Sequence, residues 1–309
     1  MIHKVPVLVA KLIGILFLVW VLLSTILPQT LLKYSDPQIQ KSRFVKPTYP
    51  YNSLTSPSPL PIQNSTVYFV IGHPDDEVMF FAPALVEVAK PKHNNKVRLV
   101  CFSRGDAVDV SMGAIRSQEL RNSARILGIE AADVIVLDNY ADGMDVEWGA
   151  QNISSSLTGI MDPSTMASSV VVTFDQNGVS NHPNHILLYH GCKKFFDSKL
   201  TSGAKLYVLK SLSFWEKYSF TLLTNIELLV DFVSRFILSN FLKVNINISF
   251  FDTFAGKQLP SIKVYSDLNM LSLSYAAMAY GHFSQMVWFR YGWLIFSRYL
   301  TFNHLIQVN

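Results

Sequence analysis

Cysteine is scarce in this sequence. Only Cys101 and Cys192 occur among 309 residues, and each lies inside an apolar segment. One distant pair supplies neither a disulfide framework nor a C-x-x-C metal site. Two reduced thiols favour a catalytic domain in the cytosol over one in an oxidising compartment.

Charge is also scarce, at 16% of residues against 50% hydrophobic residues, and the mean hydropathy is +0.25. The net charge is +4. No run of Lys and Arg is dense enough to line a nucleic-acid groove, so we expect no nucleic-acid partner. A mildly basic, apolar chain instead favours contact with anionic membrane lipids.

The longest apolar run lies near the N-terminus, at residues 12–28 (LIGILFLVWVLLSTILP). At a rise of about 1.5 Å per residue, this run and its flanks just cross a bilayer core of roughly 30 Å. A cleaved signal peptide is the alternative. No small-x-small cleavage site follows the run, which favours an uncleaved membrane anchor over residues 1–32.

The basic residues around this run indicate an orientation. Lys4 and Lys11 precede the run, and more basic residues follow it, namely Lys33, Lys41, Arg43 and Lys46. The positive-inside bias therefore favours a cytosolic location for the rest of the chain. Residues 33–65 contain six prolines and many Ser and Thr, which is typical of an extended linker.

From residue 66 to residue 309, short apolar strands alternate with helical patterns. The expected strands are 66–72, 96–103, 133–138, 168–174 and 204–211, and the expected helices are 77–90, 115–129, 149–160 and 183–196. This alternation predicts a Rossmann-like α/β fold, with a mainly parallel sheet covered by helices on both faces. Ligands of such sheets bind beyond the carboxyl ends of the strands.

Two apolar segments follow the predicted sheet. Residues 219–243 carry Glu227, Asp231 and Arg235, spaced four apart on one helical face, which is costly for a membrane span. An amphipathic helix in the membrane interface is favoured, and a helix packed in the core is the alternative. Residues 282–300 mix aromatic residues with arginines, a composition typical of the headgroup region.

The first polar cluster is His-Pro-Asp-Asp-Glu at residues 73–77, directly after the first strand. A histidine and a carboxylate suit a borderline divalent ion such as Zn²⁺. An acidic first turn that caps a helix is the alternative.

The second cluster follows the strand at 168–174, where His182 and His185 flank Pro183. Proline suits the first helical position, so His185 projects from the first turn and His182 from the preceding loop. Together the clusters predict a zinc site formed by His73, Asp76 and His185, with a fourth position open to water.

These motifs resemble those of the LmbE-like deacetylase family. GHPDDE and TFDQNGVSNHPNH match its two metal motifs, and CFSRGDA, IRSQELRNSARILGI, DGMDVEW and SQMVWFR follow the order of its eukaryotic branch, the N-acetylglucosaminyl-phosphatidylinositol (GlcNAc-PI) de-N-acetylases. The resemblance covers about residues 66–300, apart from 212–255. It implies an LmbE-like domain over 66–309, in a single-pass protein of the endoplasmic-reticulum membrane whose catalytic domain faces the cytosol.

The resemblance also implies an activity: zinc-dependent removal of acetate from GlcNAc-PI, an early step of GPI-anchor biosynthesis. A deacetylase acting on a soluble N-acetyl-amino sugar conjugate is the alternative. An anchored binding module without activity would be expected to have lost part of the motif set, and this chain retains all of it.

Residue roles follow from the resemblance. Asp75 would be the general base, and His182 would stabilise the oxyanion or protonate the departing amine. Arg116 would bind the phosphate or the sugar hydroxyls, with a salt bridge to Glu119 or Glu130 as the alternative. Asp142 would contact the sugar or serve a structural role, and Glu77 would simply begin a helix.

Three residues depart from the family pattern. Asn181 stands where the family has glycine, Asp106 where it has asparagine and Ala114 where glutamate is common. None belongs to the predicted metal triad, so these departures bear on substrate contacts and turnover rather than on reaction class.

Overall fold

A computed structural model describes residues 4–28, 30, 60–107, 109–198, 201, 203–233, 253–254, 257–258 and 260–309. Most of the expected linker 33–65 lies outside the described residues. Residues 234–243 of the 219–243 segment, including Arg235, also lie outside them.

The N-terminal apolar run forms helix α1, Lys4–Val21, which continues as a π-helical turn over Leu22–Ile26. Among the described residues, Val5–Ile26 is the one helical stretch long and apolar enough to cross a membrane. Most of its side chains are exposed, but Trp20 is fully buried. One side of α1 therefore packs against the rest of the protein.

The described strands are β1 Thr66–Ile71, β2 Lys96–Cys101, β3 Val134–Val136, β4 Ser169–Phe174, β5 Lys205–Leu209, β6 Thr253–Phe254, β7 Lys257–Gln258, β8 Ser261–Tyr265 and β9 Phe302–Gln307. Seven of them form one mixed sheet in the order β3-β2-β1-β4-β5-β9-β8, and β6 and β7 form a separate short hairpin. The first five strands are parallel, whereas β9 runs antiparallel to both β5 and β8. The predicted α/β fold with a mainly parallel sheet is confirmed.

Strands β8 and β9 were not predicted. Asn303 and His304 of β9 are polar yet buried, so this strand lacks the apolar pattern of the others. Asn303 accepts a hydrogen bond from the backbone N–H of Ala84 at 3.0 Å and donates one to the carbonyl of Phe80 at 2.8 Å. These bonds satisfy backbone groups at a helix start, which justifies a polar residue in the core.

The described helices mostly follow the predicted pattern. Besides a short helical turn at Gly178–Asn181, they are α2 Asp76–Met79, α3 Ala82–Val88, α4 Met112–Ile126, α5 Ala150–Ile160, α6 Pro183–Phe196, α7 Phe214–Lys217, α8 Leu222–Phe232, α9 Leu268–Ala276 and α10 Trp288–Phe296. The expected helix over 77–90 is two helices. Pro83 lies in the first turn of α3, where its missing N–H costs nothing, so it begins the second helix.

A second apolar cluster joins α1 to the domain. Trp20 packs with Leu228 of α8, Trp293 of α10 and Phe302 of β9. The Asn225 side-chain amide donates to the carbonyl of Leu16 at 3.0 Å. Helix α1 therefore joins the domain through side-chain packing as well as through the intervening chain.

Helix α8 is oriented with its acidic face inward. Glu227 forms an ion pair with Arg298 at 2.8 Å, and the Tyr265 hydroxyl donates to Asp231 at 2.9 Å. Its apolar side chains at Leu222, Ile226 and Leu229 are about half exposed, at 45–50%. The helix thus has the predicted acidic face and apolar face. Arg298 and Tyr265 bind the acidic face inside the protein, and the apolar face points outward.

We predict that Gly191→Ala lowers the free energy of unfolding by about 1–3 kcal/mol, the usual cost of overpacking. A Cβ at Gly191 of α6 would lie 2.4 Å from Cβ of Ile153 on the buried face of α5. The clash outweighs the helix-propensity gain of about 1 kcal/mol. Gly159→Ala in α5 is the control, since its Cβ meets nothing within 4 Å. Thermal unfolding of the full chain in detergent checks both, and equal melting temperatures for the two variants would contradict the packing argument.

Candidate metal centre and active site

The two polar clusters meet because β1 and β4 are adjacent and parallel. His73 and Asp76 follow β1, and His182 and His185 follow β4, so both pairs lie at one edge of the sheet. Nδ1 of His73 and Nε2 of His185 are 3.2 Å apart, although the residues are 112 positions apart in sequence. The expected convergence of the two motifs is present.

The turn after β1 is organised around the carboxylate of Asp76. Its Oδ2 accepts hydrogen bonds from the backbone N–H groups of Gly72 and His73, each at 2.9 Å. Burial raises the pKa of Asp76, but the imidazoles of His185 and His73 outweigh it and hold the pKa well below its usual value. A Cβ on Gly72 would lie 3.0 Å from Cδ2 of His185, so glycine allows this close approach.

Three histidines, His73, His182 and His185, form a group suited to hold a metal ion. Each offers one ring nitrogen, and these atoms all lie within 4.8 Å of one another. The rings of His182 and His185 stack at 4.7 Å between centroids, and His185 stacks on Phe174 at 3.8 Å. The packing fixes the ring planes at the edge of the sheet.

Asp76 forms a tighter triangle of donor atoms with two of these histidines. Its Oδ2 is 3.1 Å from Nε2 of His185 and 3.6 Å from Nδ1 of His73, and the two nitrogens are 3.2 Å apart. Ligand atoms about 2.0–2.2 Å from a tetrahedral ion lie roughly 3.3–3.6 Å from one another. The triangle therefore fits a tetrahedral divalent ion.

The hydrogen bonds on the far side of each ring leave the facing nitrogens free to ligate. Nδ1 of His185 lies 3.2 Å from the carbonyl oxygen of Gly178, to which it donates. Nε2 of His73 lies 3.0 Å from Oδ1 of Asp142 and 3.1 Å from Oδ1 of Asn184. Such partners set the tautomer and increase the basicity of metal-ligating imidazoles. When both rings are neutral, these bonds would leave the lone pair of each facing nitrogen directed towards Asp76.

The electrostatics of the cluster favour positive charge at its centre. Burial lowers the pKa of His73, but the carboxylates of Asp142 and Asp76 outweigh it and raise the pKa to about 10. A pocket that stabilises a proton on His73 also attracts a cation. Burial and the neighbouring imidazoles lower the pKa of His182 to about 4, which leaves this ring neutral.

Asp75, the predicted general base, is buried beside the metal group in an unusual backbone conformation. Its φ of 137° is in the region that favours glycine, at a cost of about 1–3 kcal/mol. Its side chain pairs with Arg290 of α10, and Arg116 of α4 lies 3.9 Å from the same oxygen. Sequence reasoning assigned Arg290 to the membrane headgroup region and missed this contact.

Glu77 does more than begin a helix, so that expectation was wrong. It is fully buried, and its Oε1 accepts from the Ser123 hydroxyl and from Nε2 of His282, each at 2.5 Å. Its other oxygen accepts from the backbone N–H of Asp75 at 3.1 Å. Glu77 raises the pKa of His282 against the effect of burial. This buried pair supports the strained backbone of Asp75.

Arg116 supports the same turn from the other side. It donates to the carbonyls of Pro74, at 3.1 Å, and Gly105, and to Oε1 of Gln285 at 2.6 Å. Within the described chain it forms no ion pair with Glu119 or Glu130, so the alternative salt bridge is absent. Its substrate contact stays a prediction.

Asp142 was expected as a sugar contact or a structural residue. Its carboxylate lies against His73 and 4.0 Å from Arg116.

Asn181, which stands where the family pattern has glycine, has a φ of 56°. This left-handed backbone conformation favours glycine, and asparagine tolerates it better than most other residues.

Comparisons with known proteins agree with this geometry. The family profile for GlcNAc-PI de-N-acetylase matches residues 68–196. Curated N-acetylglucosaminyl-phosphatidylinositol de-N-acetylases are similar over most of their length. The Arthroderma benhamiae protein is 31% identical, covering 79% of this chain and 87% of the relative. The Saccharomyces cerevisiae protein is 34% identical, with 77% and 79% covered, and the Bos taurus protein is 30% identical, with 80% and 85% covered.

Among solved structures, a deacetylase triple mutant of the teicoplanin biosynthetic pathway superposes with a TM-score of 0.51 at 12% identity, covering 79% of this chain and 99% of that chain. This likeness concerns the fold, which is that of an LmbE-like deacetylase. The chain belongs to the GlcNAc-PI de-N-acetylase (PIG-L) family. The resemblance inferred from HPDDE and HPNH is confirmed.

We predict that Asp142→Ala weakens metal binding by about 10–100-fold, the usual effect of losing an outer partner of a ligating histidine. The reason is that Nε2 of His73 loses its carboxylate acceptor. Asp138→Ala is the control, because Asp138 is exposed and pairs with Arg104 at 2.9 Å. Competition with a chromophoric chelator measures the affinities. Equal affinity in Asp142→Ala and the control would mean that Asp142 does not orient His73.

Proposed function

We propose that this protein removes the acetyl group of GlcNAc-PI, releasing acetate and glucosaminyl-phosphatidylinositol, in a zinc-dependent reaction. The observation that carries the proposal is the triangle of two imidazole nitrogens and one carboxylate oxygen beside a second buried carboxylate. Membership in the GlcNAc-PI de-N-acetylase family supports the substrate. The reaction is a step of GPI-anchor biosynthesis.

Zinc is the proposed metal, held by His73, Asp76 and His185. Two nitrogens and one oxygen are a ligand set that Zn²⁺ accepts, and catalytic zinc commonly has three protein ligands. When bound, the ion would polarise the acetamide carbonyl and lower the pKa of a coordinated water. The remaining histidine, His182, would then face the substrate.

Asp75 is the proposed general base and takes a proton from the attacking water. The support for this role is its burial beside the metal group and its backbone, which Glu77 and Arg116 hold in place. A positioned base is typically worth about 10²–10⁴-fold in rate.

His182 is proposed to stabilise the tetrahedral oxyanion. Its lowered pKa favours a neutral ring that donates one N–H, rather than an imidazolium that protonates the amine. Its Nδ1 is buried without a hydrogen-bond partner among the described residues, so this nitrogen is available to a substrate atom.

We also propose that the chain is anchored in the endoplasmic-reticulum membrane through residues 1–32, with its catalytic domain in the cytosol and in contact with membrane lipids. The outward apolar face of α8 and the exposed aromatic residues of α10 support lipid contact. These surfaces favour a lipid substrate over a soluble amino sugar conjugate. The interfacial location of 219–243 and the lack of a nucleic-acid partner stay predictions.

The first test incubates the membrane-embedded full chain with GlcNAc-PI labelled in its acetyl group. We expect labelled acetate to be released, chelator to abolish the release, and added Zn²⁺ to restore it. The same assay with a soluble N-acetylglucosaminyl conjugate tests the alternative substrate. Release that is indifferent to chelation, or restricted to the soluble substrate, would contradict the proposal.

The second test separates the two neighbouring carboxylates. Asp75→Asn should lower the rate of acetate release by at least about 10²-fold, as expected for loss of a general base, while bound zinc stays near one per chain. Asp76→Ala should lose the zinc itself. Metal analysis of the purified proteins and the acetate assay give both values. Loss of zinc in Asp75→Asn would show that its role is misassigned.

A further inference from the structure

Two arginines face the proposed base, and they differ in what else they contact. Both terminal nitrogens of Arg116 donate to protein oxygen acceptors that support the turn before Asp75. In Arg290, Nη2 pairs with Asp75, while Nη1 contacts the thioether sulfur of Met79, a weak acceptor. Its Nε, like that of Arg116, has no hydrogen-bond partner within the part of the chain that the structure describes. Among the described residues, Asp75 is therefore the only oxygen acceptor of Arg290.

This difference decides which arginine is free to exchange its partner. Moving Arg116 would break its bonds to Pro74 and Gln285 and release the strained turn. Moving Arg290 would break its ion pair with the Asp75 side chain and its contact with the Met79 sulfur, but none of the bonds that Arg116 and Glu77 make to the backbone of the turn. An anionic ligand can therefore recruit Arg290 at little structural cost.

The helix that carries Arg290 also connects the site to the exposed aromatic surface. On α10, Trp288, Phe289 and Tyr291 are exposed to 85%, 51% and 57%, whereas the Arg290 side chain is only 13% exposed and reaches inward to Asp75. Three side chains of the same helix turn thus face outward and one faces the base. Helix α10 therefore carries both an exposed aromatic surface and an arginine that contacts the proposed base.

We propose that Arg290 is a specificity-determining residue that binds the phosphodiester of the lipid substrate, exchanging its ion pair with Asp75 for one with a phosphate oxygen. The inference rests on the proposed function. In the substrate, the phosphodiester lies between the acyl chains and the acetamide, as Arg290 lies between the aromatic surface and the base. The planar guanidinium presents paired N–H donors that match phosphate oxygens.

The test compares binding of two soluble headgroup analogues to the zinc-loaded full chain in detergent. One is glucosaminyl-inositol carrying a glycerophosphodiester, and the other is glucosaminyl-inositol without phosphate. We expect the wild-type protein to bind the phosphodiester at least about tenfold more tightly, as a charge-assisted hydrogen bond provides. Arg290→Gln should abolish this preference and leave the dissociation constant of the neutral analogue within about twofold of wild type.

The matched control is Arg98→Gln. Arg98 also pairs with an aspartate, Asp133 at 3.3 Å, but it lies in β2 away from the metal group. It should keep the wild-type preference, and Arg290→Lys should restore part of it, because lysine keeps the charge without the fork. In the acetate assay, Arg290→Gln should raise KM for GlcNAc-PI more than it lowers kcat.

Three outcomes would overturn the inference: no preference in the wild-type protein, an unchanged preference in Arg290→Gln, or equal weakening of both analogues by that variant, which would indicate a purely structural role. The binding measurement does not depend on turnover. A wild-type protein that prefers the phosphodiester but releases no acetate would therefore contradict the proposed function and not the role of Arg290.

Discussion

The parallel pairing of β1 with β4 is the constraint on which the rest of the site depends. It brings the turn after β1 beside the turn before α6, so that Nδ1 of His73 and Nε2 of His185 come within 3.2 Å. The Asp76 carboxylate then accepts two backbone N–H groups and faces both rings. Without this adjacency the two motifs would be a capped helix and a pair of isolated histidines. With it they form a compact donor group that attracts a cation.

Around this group, the protein uses buried charge to hold an unfavourable backbone in place. Asp75 adopts a φ that non-glycine residues avoid, and Glu77 bonds its backbone N–H. Glu77 is itself paired with His282, which comes from the C-terminal part of the chain. A buried carboxylate is costly alone and acceptable when paired and hydrogen-bonded. The C-terminal segment thus helps to build the candidate site and is also a candidate membrane surface.

The same segment links the site to the proposed membrane contact. Arg298 neutralises the acidic face of α8, which turns the apolar face of that helix outward next to α1. Helix α10 has exposed aromatic side chains and sends Arg290 to Asp75. The surface proposed to contact lipid and the arginine that pairs with the proposed base therefore lie on one short helix, a suitable arrangement for a substrate whose acyl chains stay in a bilayer.

The sequence by itself determined the α/β class, the five parallel strands and the start of α6 at Pro183, because these features depend on local periodicity. It also determined the two motifs whose histidines and carboxylates converge, because their residue types point to metal chemistry. Only the tertiary structure decided the partners that come from afar. Strand β9 was missed because its buried Asn303 serves the backbone of α3, and the role of Glu77 was missed because His282 lies 205 positions away. Arg290 was assigned to the headgroup region from the aromatic and basic composition of its own segment, whereas its contact with Asp75 joins residues 215 positions apart. A single sequence contains no periodic pattern that identifies the two members of a long-range ion pair, since each charged residue alone is equally compatible with a solvent-exposed position.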